Sequence, residues 1–222
     1  MSCILNIETS TSVCSVALSM DGEVLFAKAS FDGPSHAALL GVFVEEALSV
    51  LKKKGKKALD AVAVSSGPGS YTGLRIGVSV AKGLCFGFGI PLIGIHTLDI
   101  MAATVNSKGD SQIVSMTDDC LYCAMLDARR MEVYAAIYDA SLKPVRETKA
   151  DIVEVGTYAS YLEKGKVCFF GNGASKCKSV ITSPNAIFIE DIHPLAVNMI
   201  PLSEQAFAAG KFEDTAYFEP FY

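Results

Sequence analysis

The stretch Ser65-Ser66-Gly67-Pro68-Gly69-Ser70-Tyr71-Thr72-Gly73-Leu74-Arg75-Ile76-Gly77 concentrates small and hydroxyl-bearing residues where an apolar strand runs into a helical pattern. A strand-to-helix loop of this kind can cradle phosphate, because free backbone N–H groups and the helix dipole both point at an anion. It is not a P-loop, since no Gly-Lys-Ser/Thr follows, and its glycine spacing does not fit a dinucleotide-binding fingerprint. The other reading is a tight turn that lets a helix pack closely on its sheet, and the residue types alone favour it. Glu8-Thr9-Ser10-Thr11 places a carboxyl and three hydroxyls after the first apolar strand. They suit either a phosphate or metal contact or a hydrogen-bonded turn that caps the sheet, and the turn is the simpler reading. Cys120-Leu121-Tyr122-Cys123 is a CxxC. A thioredoxin-type pair needs its first cysteine at a helix N-terminus. The pattern here is a strand, whose i and i+3 side chains leave opposite faces, so core packing is expected. No second CxxC completes a zinc site.

The elements that must position these groups follow from periodicity. Cys3 to Ile7, Val13 to Ser19 and Val24 to Ala29 read as three strands, the last two joined by the hairpin signal Asp21-Gly22. Ser35 is the N-cap of a helix from His36 to Lys54 that stops at Gly55. Ala61 to Val64 is a continuous apolar strand, expected to be covered on both faces. A helix from Thr72 to Phe88, a strand from Ile90 to Ile95 and a helix from Leu98 to Val105 complete a first lobe over residues 1–105. The polar stretch Asn106 to Asp110 opens a second, smaller lobe over 106–222. It offers strands at Cys120 to Asp127, Glu132 to Tyr138, Lys143 to Lys149 and Val167 to Phe170, and a short helix over Gly156 to Leu162. A closing helix from Pro194 to Gly210 is free to pack back on the first lobe. Three meandering strands followed by alternating helix and strand is the ribonuclease-H-like order. The fold class is therefore α/β, with two such lobes and the second one reduced.

Half of the 222 residues are apolar and 19% are charged, the balance of a globular chain. The net charge of -5 disfavours direct nucleic-acid binding, which a basic face usually supports. The one dense basic run, Lys52 to Lys57, ends a helix, where cations complement the dipole. Seven cysteines, of which Cys3, Cys14, Cys85 and Cys168 lie in apolar patterns, with no leader-like opening and no apolar run of membrane-spanning length, point to a reducing cytoplasm.

The string Gly67 to Gly77 resembles the hallmark of the TsaB (YeaZ) family. Ile7-Glu8-Thr9-Ser10-Thr11, Asp127-Ala128-Arg129-Arg130-Met131-Glu132-Val133-Tyr134 and Gly171-Asn172-Gly173 match further motifs of that family in the right order, and Pro220-Phe221-Tyr222 resembles its closing segment. The resemblance implies a fold of the actin, sugar-kinase and Hsp70 superfamily. It also implies a non-catalytic subunit that dimerises with a TsaD-like catalytic subunit and recruits a TsaE-like ATPase. That assembly transfers threonylcarbamoyl to N6 of adenosine 37 in tRNA, and the chain meets tRNA only through the complex. TsaD-like proteins hold a metal through two histidines, and Thr97 and Met101 stand at the aligned positions, with His96 one position off. A hydroxyl and a thioether suit such a metal poorly, so no metal, cofactor or catalytic residue is expected. The competing reading is a stand-alone ATP-binding or glycoprotease-like enzyme of the same superfamily, with Glu8 acting as actin-like kinases use an acidic residue there.

A partner surface is expected on the two long helices. The Thr72 to Phe88 helix is apolar nearly all round, whereas covering one sheet face needs only one stripe. Gly73, Gly77 and Ala81 recur every four residues and would make a smooth ridge. With Leu74, Ile76, Val80 and Leu84, and with His36, Leu39, Leu40, Phe43 and Ala47 of the first helix, they form the expected interface. The same surface could pair with a second copy when the partner is absent.

Overall fold

The structure is a computed structural model that describes residues 2–33, 35–55, 58–107 and 120–222. Lys56, Lys57 and the 108–110 part of the expected inter-lobe stretch lie outside the described residues. The chain divides into two compact units, one of residues 1–100 and 194–222, the other of residues 101–193. The sequence boundary near 105 thus falls at 100, and residues 194–222 belong with the first unit.

The first unit contains β1 (Cys3–Glu8), β2 (Cys14–Met20), β3 (Glu23–Ser30), α1 (His36–Lys53), β4 (Ala61–Gly67), α2 (Tyr71–Phe88) and β5 (Leu92–His96), followed by the start of α3 (Thr97–Ser107). Its sheet has the order β3-β2-β1-β4-β5. The first three strands form an antiparallel meander, and β4 and β5 join in parallel. Asp21 and Gly22 take φ of 50° and 82°, the left-handed pair that a two-residue hairpin requires. Strand β4 is buried along its whole length, as its unbroken apolar run requires. Val62 and Val64 pack with Leu40, Phe43, Val78 and Ala81 of the two long helices. Ala61 and Ala63 face the other way, against Ile4, Ile93 and Met199. Met199 belongs to the last helix, α6 (Ala196–Ala208), which covers that second face of the sheet.

The second unit contains β6 (Leu121–Asp127), β7 (Glu132–Tyr138), β8 (Pro144–Ile152), α4 (Ala159–Leu162), β9 (Val167–Phe170), α5 (Ala174–Cys177) and β10 (Ala186–Ile189). Its order, β10-β9-β6-β7-β8, repeats the first sheet strand for strand, including the antiparallel meander and the two parallel pairings. The reduction lies in the helices: two four-residue helices stand where the first unit has helices of 18 residues. Helix α5 and strand β10 leave no mark in the sequence pattern. Both are four residues long, too short for a periodicity to declare itself.

Candidate functional site

The glycine-rich loop leaves β4 at Gly67 and enters α2 at Tyr71. Ser70 caps the helix, its side chain accepting from the Gly73 N–H at 3.2 Å. The loop is tight because it is packed from two sides. The Ser10 carbonyl accepts from the Ser70 N–H at 2.7 Å, and a Cβ on Gly69 would lie 2.4 Å from that same oxygen. Gly67 has a φ of 98°, and the Phe221 carbonyl oxygen sits 1.9 Å from where its Cβ would be. The Phe221 N–H donates to the Ser66 carbonyl at 2.8 Å. Two polar groups of this loop, the Ser70 N–H and the Ser66 carbonyl, are thus engaged by Ser10 and Phe221 of the same chain. Gly67 and Gly69 pack as a tight turn does, with no room for a side chain at either position.

Glu8 lies beneath the loop, fully buried at the end of β1. Its Oε1 accepts from the Ser10 N–H. Burial pushes the carboxyl up to about 7, against the Ser10 and Ser65 hydrogen bonds that pull it down. The next residue, Thr9, donates its hydroxyl to the Gly73 carbonyl at 2.8 Å. Thr11 accepts at its carbonyl from His36 Nε2, 2.8 Å away. The Glu8-Thr9-Ser10-Thr11 segment therefore ties β1 to α2 and to the start of α1.

Those ties correct the expected interface. Gly73 and Gly77 do not form an outward ridge. A Cβ on Gly73 would lie 2.1 Å from the Thr9 carbonyl, and one on Gly77 would lie 2.2 Å from the Thr9 hydroxyl. Leu74, Ala81, Leu40, Phe43, Ala47 and His36 are buried as well, in contacts with the chain itself. Periodicity marked these residues correctly as the apolar side of each helix, but that side faces the sheet. Leu39, Ile76, Val80 and Leu84 are half-buried at the margin of the same core. The outward faces carry other residues. On α1 these are Gly41 and Val42, the valine 47% exposed; on α2 they are Gly83, Gly87 and Phe86, the last 89% exposed. A Cβ added to any of the three glycines meets nothing within 4 Å. Between the helices Ala37, Tyr71, Thr72, Arg75, Ile76, Ser79 and Val80 line a groove of ≈ 550 Å³.

Thr97 and Met101, the residues expected at metal-ligand positions, are both placed by α3. Thr97 is buried at the start of α3. Met101 is buried too, its methyl 2.1 Å from where a Gly171 Cβ would be. A hydroxyl and a thioether suit a hard or borderline metal poorly. Among the described residues no three His, Cys, Asp or Glu side chains are grouped closely enough to hold a metal ion. The CxxC cysteines part company as the strand pattern requires. Cys123 packs into the second core, while the Cys120 sulfur lies 2.9 Å from that of Cys168.

In the second unit two motifs that are remote in sequence meet. Asp127 accepts from the Arg129 N–H at 2.9 Å, and its own N–H donates to Asn172 Oδ1 at 3.0 Å. Lys176 pairs with the Asp127 carboxylate and donates to the Glu132 carbonyl at 2.6 Å. The turn between β6 and β7 is held in this way with Arg129 and Arg130 at φ of 73° and 45°, both exposed.

Residues 32–184 match the protein-family model described as TsaD: tRNA N6-adenosine threonylcarbamoyltransferase. The Escherichia coli (strain K12) protein described as tRNA threonylcarbamoyladenosine biosynthesis protein TsaB is 31% identical across 99% of this chain and 93% of its own length. The structure of YeaZ from Pseudomonas aeruginosa is similar with a TM-score of 0.78 at 26% identity, covering 100% of both chains. A second Pseudomonas aeruginosa structure, described as an uncharacterized protein with similarity to peptidase YEAZ, reaches a TM-score of 0.83 at 26% identity, over 100% of this chain and 99% of that one.

Proposed function

The chain belongs to the TsaB family of tRNA threonylcarbamoyladenosine biosynthesis proteins, and from this we propose that it is a non-catalytic partner subunit of that pathway. It dimerises with a TsaD-like catalytic subunit and recruits a TsaE-like ATPase. The assembly transfers threonylcarbamoyl to N6 of adenosine 37 in tRNA. One observation carries this reading. The chain uses its glycine-rich loop and buried Glu8 on itself, while its two long helices turn Val42, Phe86 and three open glycines to solvent.

Glycine inside a helix costs roughly 1 kcal/mol against alanine, so an open-faced helical glycine asks for a reason. Close approach of another helix is one, since it needs a surface without Cβ atoms. The TsaD-type model covers α1 and α2 themselves. A TsaD-like partner would bring helices of the same kind, and two pairs would make a four-helix contact. The same face would serve a homodimer when the partner is absent. The acidic net charge supports contact with tRNA through the complex rather than by this chain alone. Seven cysteines, none of them joined in a disulfide, support a reducing cytoplasm. No described helix is long and apolar enough to cross a membrane.

The test is size-exclusion chromatography of this chain with the TsaD-like subunit from the same genome. A complex eluting ahead of either protein is expected, and separate elution at micromolar concentration refutes the pairing.

A further inference from the structure

The residues after α6 form a strap along the first unit. The Glu213 N–H donates to the Leu92 carbonyl at 2.9 Å and so bridges to the edge strand β5. Lys82 of α2 donates to the carbonyls of Ala216 and Phe218, each at 3.1 Å. Phe218 packs against the first core, Pro220 is buried, and Phe221 docks on Ser66 and Gly67. These contacts deliver Tyr222 to the start of α2.

There Tyr222 meets Arg75. The Arg75 Nε donates to the Tyr222 hydroxyl at 2.9 Å. The guanidinium carbon lies 4.3 Å from the Tyr71 ring centroid and 5.7 Å from that of Tyr222, and the two rings are 4.6 Å apart. Arg75 is nevertheless exposed, and of its nitrogens only Nε has a hydrogen-bond partner among the described residues. Glu219 adds an electrostatic attraction from the strap. Among the described residues, Arg75 is also the only charged one lining the groove between α1 and α2. A flexible side chain has thus been held by two rings and one hydrogen bond, with the carboxylate-binding edge of its fork left open toward an otherwise uncharged groove.

We propose that Arg75, set in place by Tyr71 and by the strap residue Tyr222, anchors a carboxylate of the docking partner in this groove. The proposal rests on the docking face argued above and names the chemistry of its occupant: an Asp or Glu on a helix of the TsaD-like subunit. The groove's one cation calls for an anion, and its apolar walls call for the apolar face of a helix around it. Arginine and tyrosine are the residue types in which interface energy concentrates. Tyr222 is a positioning residue here, because it acts through Arg75.

The experiment is titration calorimetry of the full chain against the TsaD-like subunit at low and high salt, with thermal melts of every variant. Arg75→Ala is expected to weaken binding by roughly tenfold or more and to flatten its salt dependence, with the melting temperature unchanged. Arg75→Lys is expected to recover little, since an ammonium lacks the planar fork, and it stands in should Arg75→Ala fold poorly. Tyr222→Ala is expected to weaken binding by a few-fold while keeping the salt dependence, because the charge remains. Wild-type affinity in Arg75→Ala, with Val42→Glu binding lost, overturns the anchor and leaves the docking face standing. Wild-type affinity in both variants overturns the anchor and the docking face together. Wild-type affinity in Tyr222→Ala alone overturns the strap's role. If Arg75→Ala abolishes only self-association of this chain, measured by sedimentation, the carboxylate belongs to a second copy and the proposal as stated fails.

Discussion

The Thr9 hydroxyl donates to the Gly73 carbonyl at 2.8 Å, and the same hydroxyl stands 2.2 Å from where a Cβ on Gly77 would be. One threonine therefore fixes how closely α2 lies on the end of β1. It also explains why two glycines persist inside a helix that would otherwise gain from alanine.

Gly77→Ala is expected to destabilise the chain by about 1–3 kcal/mol, because Thr9 must move. Gly83→Ala, with open space around it, is expected to stabilise the isolated chain by roughly 1 kcal/mol. Urea unfolding of both variants checks this, and effects of the same sign would contradict the packing described.

Glu8 makes stability depend on pH in a definite direction. Its folded value of about 7 lies above the ordinary 4.5, so between these values the folded chain binds more protons than the unfolded one. Stability from this group is fully present below about pH 4.5 and is lost as pH rises through 7. The difference corresponds to about 3 kcal/mol. Glu8→Gln keeps the shape and removes the titration. Its stability relative to wild type is expected to rise between pH 5 and 8, read from urea midpoints at each pH, whereas parallel profiles would show that the carboxyl is ionised throughout.

Much of this was legible beforehand because the signals were long or local. Eighteen-residue helices and an unbroken apolar strand declare their periods, and Asp21-Gly22 declares its turn. The repeat of the first sheet in the second followed from the order of the strands. The direction in which each apolar stripe faces was not legible. Gly73, Gly77 and Ala81 make a smooth row on paper, and only the fold shows that Thr9 and the sheet fill it. Contacts between distant segments were equally hidden. Nothing local in Asp127 announces Asn172 and Lys176, and nothing near Arg75 announces Tyr222.

Charge on the outward faces should separate docking from folding. Val42→Glu and Phe86→Glu place a carboxylate on exposed positions, so each is expected to melt like wild type within roughly 0.5 kcal/mol. Each is also expected to lose co-elution with the TsaD-like subunit, since an unpaired charge would be buried at the contact. Unchanged co-elution in both would move the interface off these helices.

Metal analysis after mild chelation should find no stoichiometric metal, because Thr97 and Met101 offer a hydroxyl and a thioether where the TsaD ligands would be. Tightly retained zinc or iron would contradict that reading of the site.

The central claim is tested most directly by reconstituting tRNA modification from purified TsaD-like and TsaE-like subunits, unmodified tRNA and threonylcarbamoyl-adenylate, with and without this chain. Threonylcarbamoyl-adenosine is then quantified by mass spectrometry of the digested tRNA. The account predicts modification only when the chain is present, and none when it is supplied alone with the tRNA and the adenylate. Equal modification in its absence, or modification by this chain alone, would contradict it.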